Sequence, residues 1–250
     1  MGDCISADRI LGRLDEYLDR KDFAAAERHL DYWLAEAMAT KDTRTELLVR
    51  NERLGLLRKL SRQEEALAAA EETLLRIDAL GLTDNVGGAT TLLNCATVFK
   101  AFLLPARALS LFERARTVYE RALSEEDSRL GGLYNNMALA LVDLGRFSEA
   151  AALYRRAIAV MERVARGELE VAITYLNMAE AAEAEHGALL ADETVRGYLA
   201  SARALLDAHT ERDGYYAFVC EKCASVYSYY GQFAYAADLE GRARRIYEGT

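Results

Sequence analysis

Apolar residues recur along most of the chain at intervals of three and four positions, the spacing that places them on one face of an α-helix. Met137 and Leu141 mark one such face in the middle of the sequence. A polar turn at Gly145 follows, and a second apolar stripe begins at Ala150. This pattern predicts two antiparallel helices joined by a tight turn.

The predicted helix pair repeats along the chain at a step of about 42 residues. This step separates Asn94 from Asn136 and Ala108 from Ala150, and Asn177 follows Asn136 after 41 residues. A repeated helix pair is typical of an array in which each unit buries its apolar face against its neighbours. Six such units would make residues 1–250 a single domain of about twelve helices. The units are predicted at residues 5–40, 42–80, 85–122, 126–165, 168–208 and 212–247.

Several predicted helix starts carry a hydroxyl side chain followed three residues later by an acid. This spacing is typical of a capping box, in which the two side chains bond to free backbone N–H groups of the first turn. We therefore expect three of the helices to begin at such pairs. The pairs are Thr43 with Glu46, Ser61 with Glu64, and Ser124 with Asp127.

The composition fits an all-α globular protein. Hydrophobic residues make up 52% of the 250 residues and charged residues 28%, which is far from the composition of disordered chains. A single proline, Pro105, does not suit the many turns of an all-β fold. The formal net charge of −9 argues against nucleic-acid binding, because that function depends on a basic surface.

The chain shows no targeting or membrane segment. No apolar run is long enough to cross a bilayer, and no basic region followed by an apolar stretch opens the sequence. Residues 1–6 loosely match an N-myristoylation pattern, but Asp3 directly after Gly2 fits that signal poorly. We expect an ordinary N-terminus and a cytoplasmic location without membrane contact.

No motif predicts catalysis, a cofactor or a metal. The glycines at Gly87 and Gly88 lack the Lys-Ser/Thr that completes a phosphate loop, and the chain has only three histidines. Cys220 and Cys223 have the spacing of redox pairs and zinc sites, but on a helix they would share the packing face. We expect a non-enzyme with buried, inert thiols. The four cysteines expected to stay reduced are Cys4, Cys95, Cys220 and Cys223.

Small and large residues alternate in the fourth unit in a pattern that resembles the tetratricopeptide repeat (TPR). Ala138 and Ala150 are small where the two helices of that repeat cross, and Phe147 and Tyr154 fill the neighbouring gaps. At about 42 residues, against 34 in the commonest form, the unit looks like the kinesin light chain type. The resemblance implies an all-α, right-handed superhelix (solenoid) of about six antiparallel helix pairs, with a concave groove lined by the first helices.

Three asparagines, Asn94, Asn136 and Asn177, occupy the same place on the first helices of successive units. The resemblance puts this place on the concave wall, where an amide can donate to and accept from a ligand's peptide group. Bonds to a neighbouring helix, or plain solvation, are the structural alternatives. We therefore expect a protein-interaction module that binds a peptide or protein segment in the groove. The expected binding residues are Asn94, Asn136, Asn177, Lys222, Lys100 and Asn135.

The last unit contains more aromatic residues than one helix pair can bury. Arrays of this kind normally end on a polar face, so a second copy of the chain could cover the aromatic one. A structural or assembly role as a homodimer is therefore the alternative function. In that case Tyr235 and Tyr247 would lie on the exposed face of the last helix.

Overall fold

The computed structural model describes residues 6–249, and the regular structure in that range consists of twelve α-helices. Residues 1–5 of the acylation-like stretch, Cys4 among them, lie outside the described range. No helix among the described residues is both long and apolar enough to cross a membrane. The helices are α1 (Ala7–Asp19), α2 (Phe23–Thr40), α3 (Thr43–Lys59), α4 (Gln63–Ala79), α5 (Val86–Ala101), α6 (Pro105–Ala122), α7 (Ser128–Asp143), α8 (Phe147–Met161), α9 (Glu168–His186), α10 (Ala188–Ala208), α11 (Gly214–Tyr229) and α12 (Phe233–Glu248).

The chain divides into two compact units, residues 1–122 and residues 123–250. The first unit contains α1 to α6 and the second contains α7 to α12, in each case as three consecutive helix pairs. Five pairs fall within the segments marked by the sequence repeat, and the sixth extends one residue past the predicted end at 247. The predicted all-α architecture of helix pairs is therefore confirmed, whereas the single-domain boundary at 1–250 stays a prediction.

Five of the six helix pairs turn through three residues, and the middle residue has a positive φ angle. The N–H of the third turn residue donates to the carbonyl oxygen five residues earlier, at 2.8–3.1 Å, which closes the first helix. The pair α9–α10 differs, because Gly187 alone joins its helices. The middle residues are Lys21 (φ 56°), Ser61 (φ 56°), Leu103 (φ 61°), Gly145 (φ 70°) and Gly231 (φ 74°).

The predicted capping boxes are wrong by one to three residues. Asp42 rather than Thr43 caps α3, and Asp127 rather than Ser124 caps α7; each aspartate accepts an N–H of the first helical turn. Ser61 lies in the turn before α4, which begins without a side-chain cap. A carboxylate at the N-cap also interacts favourably with the positive end of the helix dipole.

Three of the four small and large residues singled out in the fourth unit are buried, as the sequence predicts. Ala138, Ala150 and Tyr154 are at most 1% exposed, whereas Phe147 at the start of α8 is half-buried. The same alternation continues in a buried cluster shared by α9 to α12. A separate cluster around Ile10 and Leu30 holds α1, α2 and α3 together in the first unit.

A charged network is buried in the first unit between α3 and α4. Glu46 is 1% exposed and Arg50 5% exposed. The carboxylate of Glu46 accepts from Arg50 Nε at 3.0 Å and from Arg76 Nε and Nη2 at 2.8 and 2.9 Å. Buried ions of this kind are tolerated only when paired and hydrogen-bonded, and here the bonds from Glu46 to Arg76 join α3 to α4.

Candidate functional site

The amides of the second unit bond within the protein. Asn177 Nδ2 on α9 donates to Asn135 Oδ1 on α7 at 3.0 Å, and Asn136 Nδ2 donates to the Gly132 carbonyl of its own helix at 2.9 Å. All three side chains are half-buried. Each amide has two N–H donors and an oxygen that accepts twice, so each retains capacity for a ligand.

The other predicted binding residues are spread over both units. Asn94 and Lys100 lie half-buried on α5 in the first unit, whereas Lys222 lies exposed on α11 in the second. The three-asparagine ladder therefore divides between the units, with Asn94 in one and Asn136 and Asn177 in the other. Its use as a continuous binding surface stays a prediction.

The first unit contains a cleft of about 580 Å³ that only its first helices form. Leu47 and Leu48 give it apolar surface, and Asp8 and Arg44 give it charges of both signs. Clefts of this volume are typical of ligand sites. The full set of lining residues is Ser6, Ala7, Asp8, Arg44, Thr45, Leu47, Leu48, Asn51, Gly87 and Thr90, from α1 with its cap, α3 and α5.

Asn51 is the polar residue of this cleft that sequence reasoning missed. Its Nδ2 donates to Thr91 Oγ1 at 3.2 Å, and its buried Oδ1 has no hydrogen-bond partner. A buried acceptor without a partner costs roughly 1–3 kcal/mol. The signal was present in the repeat, because Asn51 and Asn135 are separated by two steps of 42 residues.

Glu52, the first-unit residue in register with Asn94, is half-buried on α3. Burial raises its pKa, and the negative charge of Asp15 raises it further. The position that holds an amide in later repeats therefore holds an acid here.

The last helix pair buries Tyr235, so the prediction that it lies on an exposed face is wrong. Its ring packs edge-to-face on Tyr227 with centroids 4.7 Å apart, and its hydroxyl donates to Asp207 Oδ1 at 3.0 Å. The guanidinium of Arg203 lies over the same ring, 4.3 Å from its centroid. Tyr247, by contrast, is 54% exposed on α12.

The thiols of Cys95, Cys220 and Cys223 are free and buried. Burial raises the pKa of Cys220 to about 11 and that of Cys223 to about 12, which makes both thiols poor nucleophiles near neutral pH. Within residues 6–249, no group of three His, Cys, Asp or Glu side chains could hold a metal ion.

Comparisons with known proteins agree with this geometry. A family model described as tetratricopeptide repeat matches residues 131–165. BtubC (BKLC) from P. vanneervenii is a similar solved structure, with a TM-score of 0.59 and 19% identity over 92% of this chain and 91% of that one. A putative kinesin light chain repeat protein from Podosopora anserina gives a TM-score of 0.54 and 16% identity, over 79% of this chain and 92% of that one.

A third similar structure is a Rap protein complexed with Competence and Sporulation Factor. It gives a TM-score of 0.53 and 14% identity, over 95% of this chain and 73% of that one. A search of curated proteins finds no match. The chain therefore contains a tetratricopeptide repeat at residues 131–165 and has the fold of kinesin-light-chain-like tetratricopeptide-repeat proteins.

Proposed function

We propose that this protein is a non-catalytic interaction module that binds a peptide or protein segment along its first helices. The observation that carries the proposal is the α1/α3/α5 cleft, because every residue that lines it belongs to a first helix or its cap. Apolar surface at Leu47 and Leu48 accommodates a side chain of the partner. Arg44 and Asp8 offer charged groups for polar contacts beside it.

Amides provide the second element of the proposal. A segment that enters the cleft can donate a backbone N–H to Asn51 Oδ1, after a small side-chain movement, and so satisfy an acceptor that now has no partner. In the second unit, the amides of Asn135, Asn136 and Asn177 can still donate to or accept from a partner, because their bonds within the protein use only some of their N–H groups and oxygen lone pairs. Lys100 on α5 and Lys222 on α11 can donate to backbone carbonyl groups of a partner, and Asn94 supplies a further amide on α5.

The comparisons support the proposal at the level of fold. The Rap protein, which shares this fold at 14% identity, was crystallised with Competence and Sporulation Factor, so a fold of this kind accommodates a partner. The free, buried thiols support action in the cytoplasm, where cysteines stay reduced. The proposal requires no cofactor or metal.

Self-association remains a second candidate function because of α12. Phe233 is 67% exposed and Tyr247 54% exposed on this helix. A homodimer that covers these rings would dissociate when both are replaced by serine, without loss of helix content. Light scattering on the wild-type protein at high concentration tests this alternative, since a monomer would exclude it.

Selection of a random peptide library on the full-length protein tests the main proposal. A selected peptide is synthesised with a fluorescent label, and its affinity is measured by fluorescence anisotropy. We expect Leu48→Gln in the cleft to weaken binding at least tenfold, which corresponds to about 1.4 kcal/mol. The matched control is Leu75→Gln, because Leu75 is 71% exposed on α4 and outside the cleft.

Circular dichroism must show that both variants keep the wild-type helix content. Equal affinities for Leu48→Gln and the wild type would refute binding in the cleft. Replacement of Asn51 by alanine should lower the affinity for the same peptide about fivefold, which is the effect of losing one hydrogen bond worth roughly 1 kcal/mol.

A further inference from the structure

We propose that one surface of the second unit binds a basic segment of a protein partner, rich in arginine or lysine. We call this surface the α9/α11 face. Its residues all belong to the second unit, whereas the α1/α3/α5 cleft belongs to the first. It combines acidic side chains of α9 with exposed aromatic side chains of α11. Its residues are Glu170, Glu180, Glu183, Tyr215, Phe218 and Tyr229.

The aromatic half of the face is an exposed stripe along α11. Tyr215 is 41% exposed, Phe218 52% and Tyr229 70%. The spacing of Tyr215, Phe218, Lys222, Ser225 and Tyr229 alternates between three and four residues, so these side chains share one side of the helix. The rings of Tyr215 and Phe218 stack with centroids 6.4 Å apart. Adjacent exposed rings such as Tyr215 and Phe218 are typical of interaction surfaces in soluble proteins.

The acidic half lies directly beside these rings. The hydroxyl of Tyr215 donates to Glu170, and that of Tyr229 donates to Glu183 Oε1 at 3.3 Å, so both contacts join α11 to α9. A carboxylate that accepts one such bond keeps its charge and further acceptor sites. The negative charge of Glu183 raises the pKa of Tyr229. The rings therefore lie in a region of negative potential.

The charges of α9 have one sign apart from a terminal histidine. This helix contains five glutamates and no lysine or arginine, with only His186 in its last turn. Glu168 is occupied by His209, whose Nδ1 lies 2.7 Å from its Oε1. On α11 the exposed Lys222 lies in the same stripe as the rings, so the face has one lysine against the three glutamates Glu170, Glu180 and Glu183 and is negative on balance. A cationic partner is therefore attracted by the face, whereas an acidic segment or a nucleic acid is repelled.

Arginine fits both halves of the surface. Its guanidinium bonds to carboxylates and also stacks on aromatic rings, which present negative charge on their faces. The second unit already uses this contact internally, since Arg156 lies 4.2 Å from the ring centroid of Tyr134 and Arg212 lies 4.2 Å from that of Tyr216. A partner arginine can reproduce the contact on Tyr229 while it bonds to Glu183. A second arginine can do the same on Phe218, beside Glu170.

Two labelled peptides of equal length test the proposal, one with alternating arginine and glycine and the other with alternating glutamate and glycine. Fluorescence anisotropy with the full-length protein at about physiological salt, where long-range charge effects are screened, gives both affinities. We expect the arginine peptide to bind at least tenfold more tightly than the glutamate peptide. Equal affinities, or tighter binding of the glutamate peptide, would overturn the proposal.

Matched variants then distinguish binding at this face from general attraction by the net charge of the chain. Glu183→Gln and Phe218→Ser should each lower the affinity for the arginine peptide at least threefold. Lys222→Ala should raise this affinity, because it removes a positive charge from the face. The control is Glu193→Gln, which makes the same charge change at an exposed site on α10. If Glu193→Gln weakens binding as much as Glu183→Gln, the overall charge of −9 causes the attraction and the face is not the site.

The cleft variant Leu48→Gln distinguishes this proposal from the preceding one. It should leave the affinity for the arginine peptide unchanged, because Leu48 belongs to the first unit. Thermal melts of all variants must match that of the wild type within a few degrees. A loss of arginine-peptide binding in Leu48→Gln would place the basic segment in the cleft and overturn the α9/α11 assignment.

Discussion

Replacement of Glu46 by alanine should destabilise the first unit more than the loss of any exposed ion pair. The carboxylate is 1% exposed and accepts three hydrogen bonds from Arg50 and Arg76. Its removal takes a negative charge and a hydrogen-bond acceptor away from the guanidinium of Arg50, which is itself only 5% exposed. The contact between α3 and α4 would then lose its only buried anion among the described residues.

The structure also sets the size of the effect. Breaking a buried ion pair by removal of one partner typically costs about 3–5 kcal/mol. Arg50 keeps a bond from Nη1 to Glu72 Oε1 at 3.0 Å, and Glu72 is 64% exposed, so we expect the lower end of that range. At roughly 2–4 °C per kcal/mol for a chain of this size, the melting temperature should fall by about 6–12 °C.

Tryptophan fluorescence monitors the unfolding of the first unit in this assay. Trp33, the only tryptophan, lies on α2 and packs against the cluster of Ile10 and Leu30. Its emission in a urea titration therefore reports on the unit that contains Glu46, while circular dichroism reports on all the helices. The control is Glu71→Ala, whose partner Arg107 is 49% exposed, with an expected cost below about 1 kcal/mol. Equal midpoints for the two variants would refute our account of the network.

Acid should reduce the difference between the wild type and Glu46→Ala. Burial alone would raise the pKa of Glu46, but hydrogen bonds from Arg76 and Arg50 hold it below the ordinary value of 4.5. A lowered folded-state pKa adds stability above the ordinary value, and this stability is lost as the pH falls through the folded-state value. Urea midpoints at pH 7 and near pH 3 should therefore differ more for the wild type than for the variant.

Three further changes test other parts of the fold by thermal or urea denaturation. Ala150→Leu should cost roughly 1–3 kcal/mol, because Ala150 is 1% exposed where α7 and α8 cross; an unchanged melting temperature would disprove that packing. Glu168→Ala should cost about 1–3 kcal/mol, because His209 is buried with Nε2 already unpartnered and would lose the bond at Nδ1; a cost below 0.5 kcal/mol would show that the ring finds another partner. Leu103→Gly should stabilise by roughly 0.5 kcal/mol, because Leu103 is 84% exposed at φ 61°; a lower melting temperature would contradict strain at this turn.

Helix pairing was predictable because it depends on periodic signals that every repeat carries. The three- and four-residue spacing and the turn at Gly145 are enough to place α7 and α8. The cap of α3 was missed because Asp42 and Thr43 are adjacent and chemically competent, and only the path of the backbone decides between them. Tyr235 was missed because a tyrosine suits both an exposed helix face and a gap between helices.

Residues of the candidate site were harder to predict than the fold. Asn177 bonds to Asn135 rather than to its own counterpart Asn136, because the step to the fifth unit is one residue shorter. Glu46 and Arg50 form an i, i+4 pair, which in a sequence looks like a surface ion pair, and burial became visible only with α4 in place. Asn51 could have been found from its two-step relation to Asn135.

The equivalent turns at Gly145 and Gly231 make the second unit modular in a genetic sense. Both glycines have φ near 70°, and the next residue makes the same backbone hydrogen bond five residues back. A DNA segment that encodes residues 146–231 therefore begins and ends at the same backbone conformation. Its duplication would join two compatible ends and add two whole helix pairs without a new loop. The length of such a chain can thus change by unequal recombination, and the surface offered by its first helices would lengthen in proportion.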